Sequence, residues 1–396
     1  MRSPLRPSAP HGATRRVRLS RPTLALSLLL LLGLAHAIPG CGGSNGAPPD
    51  DAGTNGDAGD PGVPVNMGAP DILTDAEPVA GFQFLETSYT VPGTGEERTI
   101  RLNVWYATND TEGTSTRFNA LSVDANSYLD ASVRVPSGQA PLMVYSHGDR
   151  AWGGSNFRLA RQFVRNGWIV VAPDHTGNTA LDNILPRAFE YDMVRAYDMR
   201  ATIDAIENLP STHPLAGHVA TSRVLVAGHS YGGHTAWLVD GAGLDLTTIE
   251  ASCAPDCVEA ELDAFRMFVP DTRIVGAIAL DGGVGTDRVA DAGFADMTGP
   301  MLFMTPTNDA GDMALYDRSA LADVTWVQLD GACHESFTGT FSCQTLPLTT
   351  SLPITHTYAV AFGIRTVLQS DDAALLAILD GTTEVDPVVT FSRHIP

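Results

Sequence analysis

From about residue 80 the chain alternates compact apolar runs with stretches of helical spacing. Residues 82–91 and 99–107 read as an opening pair of strands, and the polar, irregular stretch 109–140 reads as an excursion. Residues 141–146, 168–173, 223–227, 274–280, 301–305 and 324–329 are short, continuously apolar runs of the kind buried strands require. Between them, residues 156–166 and 188–209 carry helical spacing, the first stopped by Gly167, and residues 356–380 read as a closing helix. This alternation predicts an α/β fold with a mostly parallel central sheet and helices on both faces. In such sheets ligands bind beyond the carboxyl ends of the strands.

The pattern before residue 80 is different. Arg2, Arg6, Arg15, Arg16, Arg18 and Arg21 precede an apolar run at 24–34 that is shorter than the ~20 residues a membrane span needs. Residues 1–40 therefore read as an export signal. Ala35-His36-Ala37 suits ordinary signal peptidase, whereas Ile38-Pro39-Gly40-Cys41 resembles a bacterial lipobox with Cys41 as the lipidated terminus. The Gly/Ser/Asn stretch after Cys41 favours a cell-envelope lipoprotein, with plain secretion as the alternative. Residues 41–78, rich in Gly, Ala, Pro and Asp, bury too little to offset their ordering entropy and read as a disordered tether. That leaves residues 79–396 as one catalytic domain.

Charge narrows the partners. The 24 basic residues are all Arg, and beyond the six in the signal, 18 face 45 acids, a net of −27. So acidic a surface repels phosphate backbones, which argues against nucleic acid. The partners left open are a small-molecule, lipid or polymer substrate and, through the N-terminal lipid alone, a membrane.

The candidate chemistry centres on Gly228-His229-Ser230-Tyr231-Gly232, placed between an apolar strand and the helix-compatible run 233–239. Strand, sharp turn and helix are what a nucleophile elbow requires, so Ser230 is the expected nucleophile. A serine hydroxyl needs a base. His334, in the loop after the last predicted strand, takes that place, while His229 points away, His147 shapes a neighbouring loop and His234 lies behind the elbow. The acid should fall between Ser230 and His334. Asp309, after the strand at 301–305, is preferred because that strand neighbours the one before His334. Asp281 is the alternative acid and Asp312 a more remote one. The oxyanion hole is expected from the backbone N–H groups of Tyr231 and Asp149, with the Asp149 carboxylate turned away and paired with Arg150.

Together with Val104-Trp105-Tyr106, Tyr145-Ser146-His147-Gly148, Val170-Val171-Ala172-Pro173-Asp174-His175, Ala277-Ile278-Ala279-Leu280-Asp281 and Asn308-Asp309, the pentapeptide resembles a family of α/β-hydrolases. It groups platelet-activating-factor acetylhydrolase with bacterial dienelactone-hydrolase-like and polyester-hydrolase-like esterases. The resemblance implies an α/β-hydrolase fold, a Ser-His-Asp triad, ester substrates and no cofactor. It also implies two placements for the acid: acetylhydrolases use the position of Asp281, the other branches that of Asp309.

Four cysteines lie in the domain. Cys253–Cys257 and Cys333–Cys343 are the pairings expected in an oxidising compartment, each being local in sequence, with zinc as the alternative. Two other functions compete with an esterase: an amidase or peptidase using the same triad, and a non-catalytic surface binding protein on the same fold. Residues 240–272 are a candidate cap over the site.

Overall fold

The computed structural model describes residues 77–396, apart from 121, 183–187, 256–257 and 308. The export signal, Cys41 and the tether as far as residue 76 lie outside the described residues. The chain opens with β1 (Ala80–Thr90) and β2 (Glu97–Tyr106), paired antiparallel. The polar excursion contributes two strands that its composition did not announce, β3 (Ser115–Arg117) and β4 (Val123–Leu129). They extend the sheet beyond β1 at an edge where only one face needs to be apolar.

The strands that carry the site follow: β5 (Ala140–Ser146), β6 (Ile169–Pro173), β7 (Val219–His229), β8 (Ile274–Leu280), β9 (Met301–Pro306) and β10 (Val324–Leu329). They pair in parallel in the order β6-β5-β7-β8-β9-β10. A final strand, β11 (Val389–His394), returns antiparallel on β10. The sheet is therefore mixed: a parallel centre flanked by antiparallel strands, rather than mostly parallel throughout.

Both faces of the centre are buried, which explains the continuous apolar runs. Along β7, Val224 and Val226 join one core while Leu225 and Ala227 join the other. The first core packs α2 (Tyr191–Glu207), α3 (Tyr231–Val239), α4 (Leu246–Cys253), α5 (Glu259–Arg266) and α6 (Ala310–Arg318) on one face. The second packs α1 (Phe157–Arg165), α7 (Leu348–Val367) and α8 (Ala373–Leu379) on the other. The predicted closing helix is thus two helices. Asp372 starts the second by accepting from the Ala374 and Leu375 amides, a cap that outcompetes continuation of the first. Among the described residues no helix is long and apolar enough to cross a membrane.

Among the described residues, those of 240–272 pack on the first core and none lines the two clefts at Ser230. Ala264 and Phe265 of α5 are buried against α2, where the Tyr197 hydroxyl donates to the Ala264 carbonyl at 2.9 Å. Ile249, Leu262, Ala264 and Phe265 of this segment join the first core.

Candidate active site

Parallel registry sets the ends of the central strands level: Ser146 pairs with Gly228, His229 with Leu280, and Leu280 with Met304. The loops after β5, β7 and β8 therefore meet at one place. Ser230 sits there between β7 and α3 with φ 56° and ψ −121°, a backbone state costly for any residue with a side chain. The elbow's glycines are a packing demand. A Cβ on Gly228 would lie 2.0 Å from the Gly232 carbonyl oxygen, and one on Gly232 would lie 1.9 Å from that of Ser146. Immediately after Ser230, α3 begins, so its N-terminal dipole points at the serine.

His334 opens a short 3-10 turn after β10 and reaches back over the strand ends. Its Nδ1 stands 2.6 Å from Oδ2 of Asp281. The hydrogen bond to Asp281, opposed by partial burial, raises the imidazole pKa above its ordinary value. Asp281 also has positive φ, 45°, and its amide donates to the Met304 carbonyl at 2.7 Å. Ser230 and Asp281 are thus two strained non-glycine residues at the ends of adjacent strands. His229 lies beneath, its ring 4.5 Å from that of His334 and its Nε2 donating to the His334 carbonyl at 2.8 Å. Burial and the neighbouring His334 lower its pKa to about 4, so His229 is a neutral tether for the loop that carries His334.

Asp309 is not beside His334. Its carboxylate accepts from the Gly311 and Asp312 amides at 2.7 and 3.1 Å and caps α6. The expectation that adjacency of β9 and β10 would join Asp309 to His334 is corrected here: the turn at 334–337 carries His334 across β9 to the end of β8. Asp312, half-buried and flanked by Asp281 and Asp309, has its carboxyl pushed up to about 7 and contacts neither His334 ring nitrogen.

Two clefts meet at Ser230. One is lined by Asp192, Tyr231, His234 and Arg288; the other by Asp149, Arg150, Trp152, His334 and Phe341. Among the described residues, none from 240–272 lines either. The Asp149 carboxylate accepts from Asn178 Nδ2 at 2.7 Å and lies 3.7 Å from Arg150 Nε. His147 Nε2 accepts from the His175 amide at 3.0 Å, so the proton is on Nδ1, which donates to the Gly148 carbonyl at 2.7 Å. Burial lowers the His147 pKa well below the usual value, so the ring is neutral. His234, on α3, lies 3.5 Å from Asp192.

Ser146, His175 and Asp198 form a hydrogen-bonded chain of their own. Ser146 Oγ is 2.9 Å from His175 Nε2, and His175 Nδ1 is 2.8 Å from Asp198, which Arg98 also binds at 2.7 Å. Ser146, His175 and Asp198 are each fully buried, and burial lowers the His175 pKa to about 3. With no access for substrate, this chain supports the loop after β5 rather than doing chemistry. Neither it nor the fully buried Arg195 was singled out from the sequence. The available signal was a helix, α2, that carries the charges of Asp192, Arg195 and Asp198 among its buried residues.

Cys333 and Cys343 differ from expectation. They are free thiols, hydrogen-bonded to each other rather than joined. Each sulfur has other partners, Ser336 Oγ at 3.6 Å for Cys333 and Thr345 Oγ1 at 3.3 Å for Cys343. Cys253 is disulfide-bonded, and Cys257 lies outside the described residues. No group of side chains that could hold a metal ion occurs among the described residues.

No family model matches the chain, and no curated protein matches it. Among solved structures it is similar to a ferulic acid esterase from Streptomyces cinnamoneus, with a TM-score of 0.56 over 82% of this chain and 98% of that one. The two sequences are 17% identical, so the likeness is one of fold: a mixed α/β sheet clothed in helices.

Proposed function

We propose that this chain is a carboxylic-ester hydrolase of the α/β-hydrolase type, working through Ser230, His334 and Asp281. The observation that carries the reading is the 2.6 Å pairing of His334 with Asp281 in a cleft wall shared with a strained Ser230. The esterase fold of the solved relative agrees with it.

In this reading Ser230 Oγ attacks the ester carbonyl while His334 takes its proton. Asp281 fixes the imidazole tautomer and stabilises the cation that forms. The tetrahedral oxyanion is received by the Tyr231 amide at the N-terminus of α3 and the Asp149 amide in the loop after β5. His334 then protonates the departing alcohol, and water, activated by the same imidazole, releases the acid. Every step uses groups of this chain and water, and none calls for a cofactor.

The N-terminal reading is part of the proposal: export, lipidation at Cys41, and a tether that holds the catalytic domain on an envelope membrane. A panel of p-nitrophenyl esters from acetate to palmitate, with Ser230→Ala as the blank, tests the activity. Turnover confined to the wild type supports the reading, and equal rates in both proteins would overturn it.

A further inference from the structure

Arg195 stands in the second turn of α2 with its side chain fully buried. Its fork makes four hydrogen bonds, all to uncharged oxygens: Thr235 Oγ1 at 3.2 Å, Asn178 Oδ1 at 2.7 Å, Ser146 Oγ at 3.0 Å and the His147 carbonyl. Its plane also lies 4.5 Å from the centre of the Tyr231 ring. A guanidinium placed so deep loses hydration, and burial lowers its pKa to about 10, which still leaves it charged at neutral pH.

Three of the hydrogen bonds and the ring contact lead to the two halves of the oxyanion cradle. On one side Asn178, held by Arg195, donates to the Asp149 carboxylate at 2.7 Å and keeps it away from Ser230. The bond to the His147 carbonyl fixes the residue whose ring in turn orients the Gly148 carbonyl, and so the peptide that carries the Asp149 N–H. On the other side Thr235, bonded to Arg195, donates to the Tyr231 carbonyl at 3.0 Å, and the Tyr231 ring rests on the guanidinium. Ser146, bonded to the same fork, links it to the buried His175–Asp198 pair.

We propose that Arg195 is the positioning residue of the oxyanion hole, holding the Asp149 and Tyr231 amides in one geometry and setting a buried positive charge behind them. A fixed cation in a water-poor wall acts on charge that develops only in the transition state, so its effect falls on kcat rather than on substrate binding. The inference rests on Ser230 being the nucleophile.

The test is carried out on the full domain with active sites counted by p-nitrophenol release from a p-nitrophenyl phosphonate. Failure of the wild type to release one equivalent would overturn the nucleophile assignment itself, separately from the role of Arg195. Given a titrating wild type, Arg195→Gln should lower kcat per titrated site about 100-fold, as loss of an oxyanion donor does. KM should stay within about threefold, and affinity for a boronic acid inhibitor should fall in step with kcat/KM. A merely structural arginine would lower the number of titrated sites and leave kcat per site and inhibitor affinity unchanged; that result overturns the proposal. Should Arg195→Gln fail to fold, Asn178→Ala removes only the arm to Asp149. It should cost about tenfold in kcat per site, and wild-type kcat there would equally overturn it.

Discussion

His334 Nδ1 is bonded to Asp281 at 2.6 Å although the two residues follow β10 and β8, with β9 between them. The loop crosses because its backbone is tied on the near side: His229 donates to the His334 carbonyl from directly behind Ser230. Asp309, after the intervening strand, caps α6 through its Oδ1.

Substitutions at the two aspartates should therefore separate cleanly. Asp281→Asn should lower kcat by about three to four orders of magnitude in a folded protein, because an amide supports the wrong imidazole tautomer. Asp309→Asn keeps an N-cap and should keep wild-type kcat, whereas Asp309→Ala should lose about 1 kcal/mol of stability with its activity retained. Steady-state kinetics and thermal melts on the three variants check this. A dead, well-folded Asp309→Asn would reverse the assignment.

This pair also marks how far the sequence could be read. The six central strands and the elbow were legible because strands buried on both faces leave uninterrupted apolar runs, and because the Gly228 and Gly232 positions admit no Cβ. The edge strands β3 and β4 were not, since half-exposed edges carry mixed residues. The pairing of His334 with Asp281 rather than Asp309 turned on a loop path, which strand order does not determine. One local signal was present: Asp309 precedes a helical run with the residue type that N-caps favour. Arg195 was invisible because its partners are brought together only by the fold.

The pH dependence follows from the same bond. The proposed mechanism needs neutral His334, and Asp281 raises its pKa above 6.5, so the acid limb of kcat/KM should lie above that value. In Asp281→Asn the limb of the residual activity should move to lower pH. Stability runs the opposite way: the contribution of the pair is fully present below the unfolded imidazole pKa and is lost as pH rises through the folded one. Melting curves should accordingly show a larger deficit for Asp281→Asn at pH 5 than at pH 9. An acid limb that does not move would contradict the pairing.

His229→Ala removes the donor to the His334 carbonyl without touching the reacting atoms. We expect kcat to fall about tenfold to 100-fold through a misplaced base, with KM little changed. An unchanged kcat would mean that the loop is held by other contacts.

The thiols give a chemical readout of the loop. The Cys343 pKa is lowered to about 6, burial being outweighed by its hydrogen bond with Cys333, whose own pKa is raised. At pH 7 iodoacetamide should alkylate Cys343 first, as thiolate is the reactive form. Peptide mapping that finds neither residue alkylated without prior reduction would show the two joined.

The central claim is that Ser230 forms the covalent intermediate. Mass spectrometry of the domain after treatment with a fluorophosphonate addresses it most directly. The account predicts one adduct per chain, mapped to Ser230 and absent from Ser230→Ala. An adduct on another residue, or ester turnover that persists in Ser230→Ala, would contradict it.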